Sequence, residues 1–117
     1  MELEDRIVRF AVRCVNVCSA LPVKALGSSS FADQLFRSST SIAANYAEAC
    51  EAESAKDFVH KLKIAMKELS ETRVWLKLIG EAGYIEKAKL VRLISESKEL
   101  SHILSASVTT TKKKISS

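Results

Sequence analysis

The side chains best suited to metal chemistry are two cysteines and two histidines, and their spacing predicts no site. Cys14 and Cys18 lie four residues apart, which places both on one apolar face of a helix. His60 and His102 fall on different predicted helices, at no spacing typical of zinc ligands. A zinc site built from these four residues is the alternative, but buried, reduced thiols explain the cysteines better. We therefore predict no metal and no cofactor.

The sequence likewise contains no arrangement of residues typical of a catalytic site. The three glycines stand at positions 27, 80 and 83, which cannot form a glycine-rich loop around a phosphate. No Ser-His-Asp or Cys-His arrangement is suggested by the spacing of the relevant residues. An enzyme would require titratable groups clustered in a pocket, and the sequence indicates no such cluster. We expect a protein that is not an enzyme and has no catalytic residue.

A polar stripe runs along the second predicted helix, in a segment that has no charge between Arg37 and Glu48. The third helix offers carboxylates opposite it, and we predict an ion pair between Arg37 and Glu71. Unpaired buried polar groups cost about 1–3 kcal/mol each, so these groups need partners. The favoured interpretation is a structural hydrogen-bond network that fixes helix register, and a ligand or catalytic role is the alternative. The predicted network is Arg37, Ser41, Asn45, Glu48, Glu68 and Glu71.

Basic residues gather on the predicted solvent faces of two helices and in the last residues of the chain, and the net charge is +4. Such stripes can follow the phosphates of RNA or DNA, and each neutralised phosphate adds salt-sensitive affinity. The alternative is an ordinary solvated helix face. No aromatic residue interleaves with the lysines, so base stacking is not supported. The candidate nucleic-acid contacts are Arg6, Arg9, Arg13, Lys56, His60, Lys63, Lys67 and Lys77.

The first helix is more apolar than one packed face requires. Val8, Val12 and Val15 lie more than about 90° round the helix from the centre of the face that Ile7, Phe10, Cys14 and Leu21 share. A bundle helix normally shows a narrower apolar stripe, so these valines need a second apolar neighbour. We predict that they form an interface between copies of the chain. The alternative is that a loop or the fourth helix covers them.

The elements that would position these residues are four helices. The chain has 117 residues, with only 1 Pro and 3 Gly, so strands lack turn residues to join them. Apolar residues at alternating spacings of three and four predict helices over about 2–21, 30–51, 54–82 and 86–108. The pairs Ser30 with Asp33 and Ser54 with Asp57 predict N-terminal caps. Gly83 is a natural helix terminator.

These helices predict an all-α fold, an up-down-up-down antiparallel four-helix bundle, because short connections make successive helices antiparallel neighbours. We expect residues 1–108 to form this single domain and residues 109–117 to be a basic, frayed tail. No apolar run is long enough to span a membrane. The N-terminal segment does not resemble a signal peptide, and the three cysteines suit a reducing compartment, so we expect a cytoplasmic protein.

The helix-two stripe and the segment 57–76 together resemble a known family, the four-helix bundle proteins of 23S ribosomal RNA intervening sequences. The resemblance covers about residues 5–105. Ala49 departs from the commoner pattern, which has glycine after the helix-two glutamate, so helix two is expected to run slightly further. The matching positions are Arg37, Ser41, Ile42, Asn45, Ala47, Glu48, Phe58, Leu62, Ile64, Ala65, Glu71, Thr72, Leu76, Gly83, Tyr84 and Ile85.

The resemblance implies a bacterial protein that assembles as a ring, typically a homopentamer. The fold is also similar to the accessory variability protein of diversity-generating retroelements, a basic bundle that works with a reverse transcriptase and nucleic acid. Neither similarity supplies a catalytic residue. The sequence therefore favours a homo-oligomeric adaptor that binds structured RNA or DNA. The alternative is a scaffold for an unknown protein partner, without a nucleic-acid role.

Overall fold

The computed structural model describes residues 2–117, which form four α-helices. Each helix packs antiparallel on the next, and α1 also contacts α4. The result is an elongated up-down-up-down bundle of 54 × 23 × 22 Å, as the sequence predicted. The helices are α1 (Leu3–Ala20), α2 (Ser28–Cys50), α3 (Ala55–Glu81) and α4 (Lys87–Ser116).

The core is built from the predicted apolar stripes. Burial of these side chains is the main favourable contribution to the free energy of folding. Each Å² of apolar surface removed from water contributes about 25 cal/mol. Four polar side chains are also fully buried among them: Ser38, Ser39, Thr72 and Ser97. The largest fully buried apolar residues are Ile7, Phe10, Leu35, Ile42, Leu62, Leu69, Leu76, Ile79, Leu90, Leu100 and Leu104.

The helix caps agree with the sequence at α3 and differ at α2. Ser54 Oγ accepts a hydrogen bond of 3.0 Å from the Asp57 backbone amide, as predicted. The predicted cap at Ser30 is wrong, because α2 already begins at Ser28 and Ser30 lies inside it. Gly27 precedes the helix with a φ of 79°, a left-handed conformation that glycine adopts without strain. Its carbonyl then accepts the first hydrogen bond of the helix, from the Phe31 amide.

The end of α4 also differs from the prediction. We expected the helix to end at Val108 and the tail over residues 109–117 to fray, but α4 continues to Ser116. The physical reason is a packing partner: Val108 is buried, and Lys112, Ile115 and Ser116 lie beside the N-terminal half of α3. We call residues 109–116 the α4 extension. None of the helices within residues 2–117 is long and apolar enough to cross a membrane.

Candidate nucleic-acid interface

Two acidic side chains of α3, Glu68 and Glu71, contact Arg37 of α2. Arg37 Nη1 donates to Glu68 Oε2 at 3.1 Å, and Arg37 Nη2 donates to Glu71 Oε2, so the predicted Arg37–Glu71 pair is present. Trp75 Nε1 donates to the same Glu71 oxygen at 3.0 Å. The Arg37 side chain is 49% exposed and that of Glu71 35%, so this is a surface cluster and not the buried network we expected.

The rest of the predicted polar stripe forms separate contacts. Asn45 Nδ2 donates to the Ser41 carbonyl at 2.9 Å and to Ser41 Oγ at 3.1 Å, both within α2. Lys61 Nζ donates to Glu48 Oε1 at 2.8 Å across α2 and α3, and this contact raises the pKa of Lys61. Three local contacts along the α2–α3 surface therefore replace one continuous network.

The acidic side chains of α4 turn the other way, towards α1. Arg6 donates to both oxygens of Glu96, from Nε at 2.8 Å and from Nη2 at 2.7 Å, and Glu99 lies 3.3 Å from Nη2. These contacts raise the pKa of Arg6 and lower that of Glu96. Arg6 is thus already paired with carboxylates inside the protein. Its predicted companions Arg9 and Arg13 are exposed beside it.

This sorting of carboxylates leaves the outer surface between α3 and α4 rich in cations. Lys112 of α4 is near enough to Lys63 of α3 to lower the pKa of Lys63. Lys56 and Lys112 line one depression in that surface. Farther along, Glu81 lines a second depression between the two helices, and its carboxylate is 2.9 Å from Lys87 Nζ. We define the α3–α4 groove by Lys56, Lys63, Arg73, Lys77, Lys87 and Lys112.

Arg73 is the centre of this groove and has no ionic partner. Its Nε donates to Ser97 Oγ at 2.8 Å, and its Nη2 donates to Ser101 Oγ at 2.9 Å and to the Ser97 carbonyl at 3.2 Å. In the part of the chain that the structure describes, no carboxylate lies within 4.0 Å of this guanidinium. Hydroxyls therefore hold the side chain in place without neutralising its charge.

The groove combines predicted and unpredicted residues. Lys56, Lys63 and Lys77 were predicted contacts, and Lys112 belongs to the basic end of the chain noted in the sequence. The structure adds Arg73 to the same surface, and sequence reasoning missed this residue. His60 and Lys67 are exposed elsewhere on the outward surface of α3. Arg73 lies on α3 at the edge of the core. The sequence pattern of α3 does not show that Ser97 and Ser101 of α4 lie opposite it.

The predicted interface valines remain uncovered in the single chain. Val8 is 43% exposed and Val12 52% exposed, while Val15 is half-buried against the bundle. Neither the α1–α2 loop nor α4 covers Val8 and Val12, which excludes the alternative drawn from the sequence for these two. Phe36 of α2, 52% exposed, is a further large apolar side chain on the α2 side that faces α1.

The cysteines do not assemble into a site. All three are free thiols: Cys14 is buried, Cys18 is half-buried and Cys50 is exposed. Burial raises the pKa of Cys14 to about 12 and also raises that of Cys18, whose Sγ donates to the Ala32 carbonyl at 3.4 Å. Within residues 2–117, no cluster of three or more His, Cys, Asp or Glu side chains could hold a metal ion.

Comparison with known proteins identifies a matching family and a similar solved structure. The sequence model of the family described as "23S rRNA-intervening sequence protein" matches residues 2–106. A crystal structure of a protein of unknown function from the S23 ribosomal protein family of Bacteroides thetaiotaomicron is similar, with a TM-score of 0.80 and 34% sequence identity. The alignment covers 92% of this chain and 98% of that one. Among curated proteins, no match to this chain was found.

Proposed function

The chain belongs to the 23S rRNA-intervening sequence protein family, and we propose that it is a non-enzymatic, homo-oligomeric adaptor that binds structured RNA or DNA. The observation that carries the proposal is the sorting of charge between the helices. Glu68 and Glu71 of α3 contact Arg37 of α2, and Glu96 and Glu99 of α4 contact Arg6 of α1. Cations therefore dominate the α3–α4 groove, and an elongated anion is the ligand that would neutralise them.

Self-assembly has separate support in the apolar surface of α1 and α2. Val8, Val12 and Phe36 are each about half exposed, whereas side chains of this type are usually buried in a stable monomer. A second copy of the chain would remove this surface from water. We propose a ring of five subunits, and the subunit number rests on the family resemblance. Three free cysteines are consistent with the cytoplasm as its compartment.

Light scattering of the purified protein, alone and with a structured RNA, tests both parts of the proposal. We expect a particle of about five chains of 12.9 kDa, and a larger particle once RNA is added. RNA affinity should fall steeply as the salt concentration rises, because counterion release drives phosphate binding. A monomer that ignores RNA at low salt would contradict the proposal.

A protein-binding scaffold is the second candidate, and the loop between α1 and α2 favours it. Val23 is 96% exposed and Leu26 is 92% exposed, so this loop presents two large apolar side chains at one end of the bundle. A partner protein could bury both. This function predicts co-purification of a defined protein that persists after nuclease treatment and is lost in a Val23→Ser, Leu26→Ser variant. The adaptor function predicts instead that nuclease treatment releases what is bound.

A further inference from the structure

We propose that the N-terminal half of α3 and the α4 extension together form a clamp for the phosphodiester backbone of a nucleic-acid duplex. The clamp consists of Lys56, Lys63 and Lys112, and Arg73 continues it along the α3–α4 groove. This inference rests on the proposed nucleic-acid function and deepens it, because it assigns the contact to one surface and the ligand to double-stranded form.

The gathering of lysines from two helices around a depression that no carboxylate lines is the observation that points to an anion. Ammonium groups repel each other, and side chains as long as lysine can normally separate into solvent. Lys63 and Lys112 come from different helices and are nevertheless close enough to lower the pKa of Lys63, where α4 continues past Val108. A phosphate oxygen between them would convert this repulsion into two charge-assisted hydrogen bonds.

The surroundings of this pair complete a binding surface. Lys56 and Lys112 line a depression whose remaining walls are Val59, Ile115 and Ser116. No carboxylate belongs to that lining, so nothing in it competes with a phosphate for the lysines. The Ser116 hydroxyl already donates to the Lys112 carbonyl at 2.8 Å, which holds the last turn of the extension.

Arg73 gives the clamp a second point along the same groove. Its guanidinium is fixed by Ser97 and Ser101 with no ionic partner, so it can donate to a phosphate without first breaking an ion pair. From Lys56 to Lys77 the helix rises about 30 Å, at about 1.5 Å per residue. One turn of a B-form DNA duplex is about 34–36 Å long, so the groove spans slightly less than one such turn.

The aromatic residues argue for a duplex over a single strand. Proteins that bind single strands stack exposed bases on aromatic side chains. Phe31, Trp75 and Tyr84 instead pack edge to face with one another, with ring centroids 5.3 Å and 6.1 Å apart in the two pairs. Phe10 is buried and Phe58 packs partly buried against the core. Phe36 and Tyr46 lie on α2. None of the residues that line the two depressions between α3 and α4 is aromatic, which suits a ligand whose bases are already paired.

The test is fluorescence anisotropy with an RNA duplex of about 20 base pairs, the same DNA duplex and one RNA strand, each over a series of salt concentrations. The variants are Lys63→Ala and Lys112→Ala, and the matched control is Lys89→Ala, an exposed lysine of α4 outside the groove. We expect each groove variant to weaken duplex binding by about threefold to tenfold and to lower the salt slope by about one. The control should change affinity by less than about twofold, and the duplex that binds tighter identifies the nucleic acid.

Each result decides a different statement. If the wild type binds duplexes and both groove variants match Lys89→Ala, the clamp is overturned while the proposed function stands. If the single strand binds as tightly as the duplex, the assignment to double-stranded form is overturned. If the wild type binds no nucleic acid at low salt, the clamp and the proposed function both fail. The circular dichroism spectra of the three variants should match that of the wild type, because each substitution replaces an exposed lysine and leaves the helices intact.

Discussion

Thr72 Oγ1 of α3 donates a hydrogen bond of 2.8 Å to Ser38 Oγ of α2, and both side chains are fully buried in the bundle core. The Ser38 hydroxyl in turn donates to the Leu35 carbonyl at 3.5 Å, which is a weak contact. Two hydroxyls in an apolar interior are satisfied only when the helices stand at one relative height. The pair therefore fixes the register of α2 against α3.

We expect Thr72→Val to lower the free energy of unfolding by about 1–2 kcal/mol, because it leaves the buried Ser38 hydroxyl without its partner. Ser38→Ala should have a similar effect, and the double variant should cost less than the sum of the two. Urea denaturation measures all three. Thr40→Val serves as the control, since its hydroxyl donates within α2 only. Strict additivity would show that the two hydroxyls do not act as a pair.

The Arg37 cluster should stabilise the protein only modestly. Removing one partner of a fully buried ion pair costs about 3–5 kcal/mol, but Arg37 is half exposed and solvent screens the charges. We expect Glu71→Ala to lower the free energy of unfolding by about 1 kcal/mol, including the lost hydrogen bond from Trp75. Glu53→Ala, an exposed glutamate of the α2–α3 turn, is the control in the same denaturation experiment. A loss of several kcal/mol would mean that the cluster is buried in the assembled protein.

The Arg6–Glu96 pair predicts acid sensitivity at the contact of α1 with α4. Arg6 lowers the pKa of Glu96 below its usual range in the folded protein. Its contribution to stability is therefore present above the ordinary glutamate pKa of about 4.3 and is lost as the pH falls through the lowered value. We expect Glu96→Gln to lower the melting temperature at pH 7. As the pH is lowered below about 5, the melting temperature of the variant should fall less than that of the wild type. Parallel pH profiles of wild type and variant would contradict this assignment.

Val12→Glu should dissociate the oligomer and leave the fold intact. Val12 is half exposed in the single chain, so a carboxylate there should lower the stability of the monomer only slightly. Within an apolar interface the same carboxylate would lose its hydration, which weakens association. We expect the mass from light scattering to fall while the helical circular dichroism is retained. Val91→Glu introduces the same change at a 60% exposed valine of α4 and should leave the mass unchanged. An unaltered mass for Val12→Glu would exclude this surface as the interface.

The three thiols should differ sharply in reactivity. The thiolate is the reactive form, and burial raises the pKa of Cys14 to about 12, so little thiolate exists at neutral pH. We expect iodoacetamide at pH 8 to label Cys50 first, Cys18 slowly and Cys14 only after unfolding in denaturant. Mass spectrometry of timed samples measures the order. Rapid labelling of Cys14 in the native protein would mean that α1 opens readily.

Local sequence signals predicted the helices and failed mainly at their ends. The capping contact of Ser54 was read correctly, because the serine precedes the apolar pattern and its neighbours leave no competing start. At α2 the same pattern predicted a cap at Ser30, but the helix is preceded by Gly27 in a left-handed backbone conformation. The sequence alone does not show which glycine will adopt that conformation. At α4 the polar composition after Val108 predicted fraying. The prediction was wrong because a helix persists when only one of its sides packs against a neighbour, as α4 does up to Ser116.

The sequence by itself determined the number of helices and their apolar faces, because helical periodicity places residues three and four apart on one side. It also suggested the pair of Arg37 with Glu71, which the packing of α2 on α3 then made. Tertiary structure alone decided which charges remain unpaired. Arg6 and Arg73 look alike in the sequence, yet one meets Glu96 and the other meets Ser97. The physical reason is that a side chain's electrostatic environment is set by the neighbouring helix, whose height and rotation depend on the packing of the whole core.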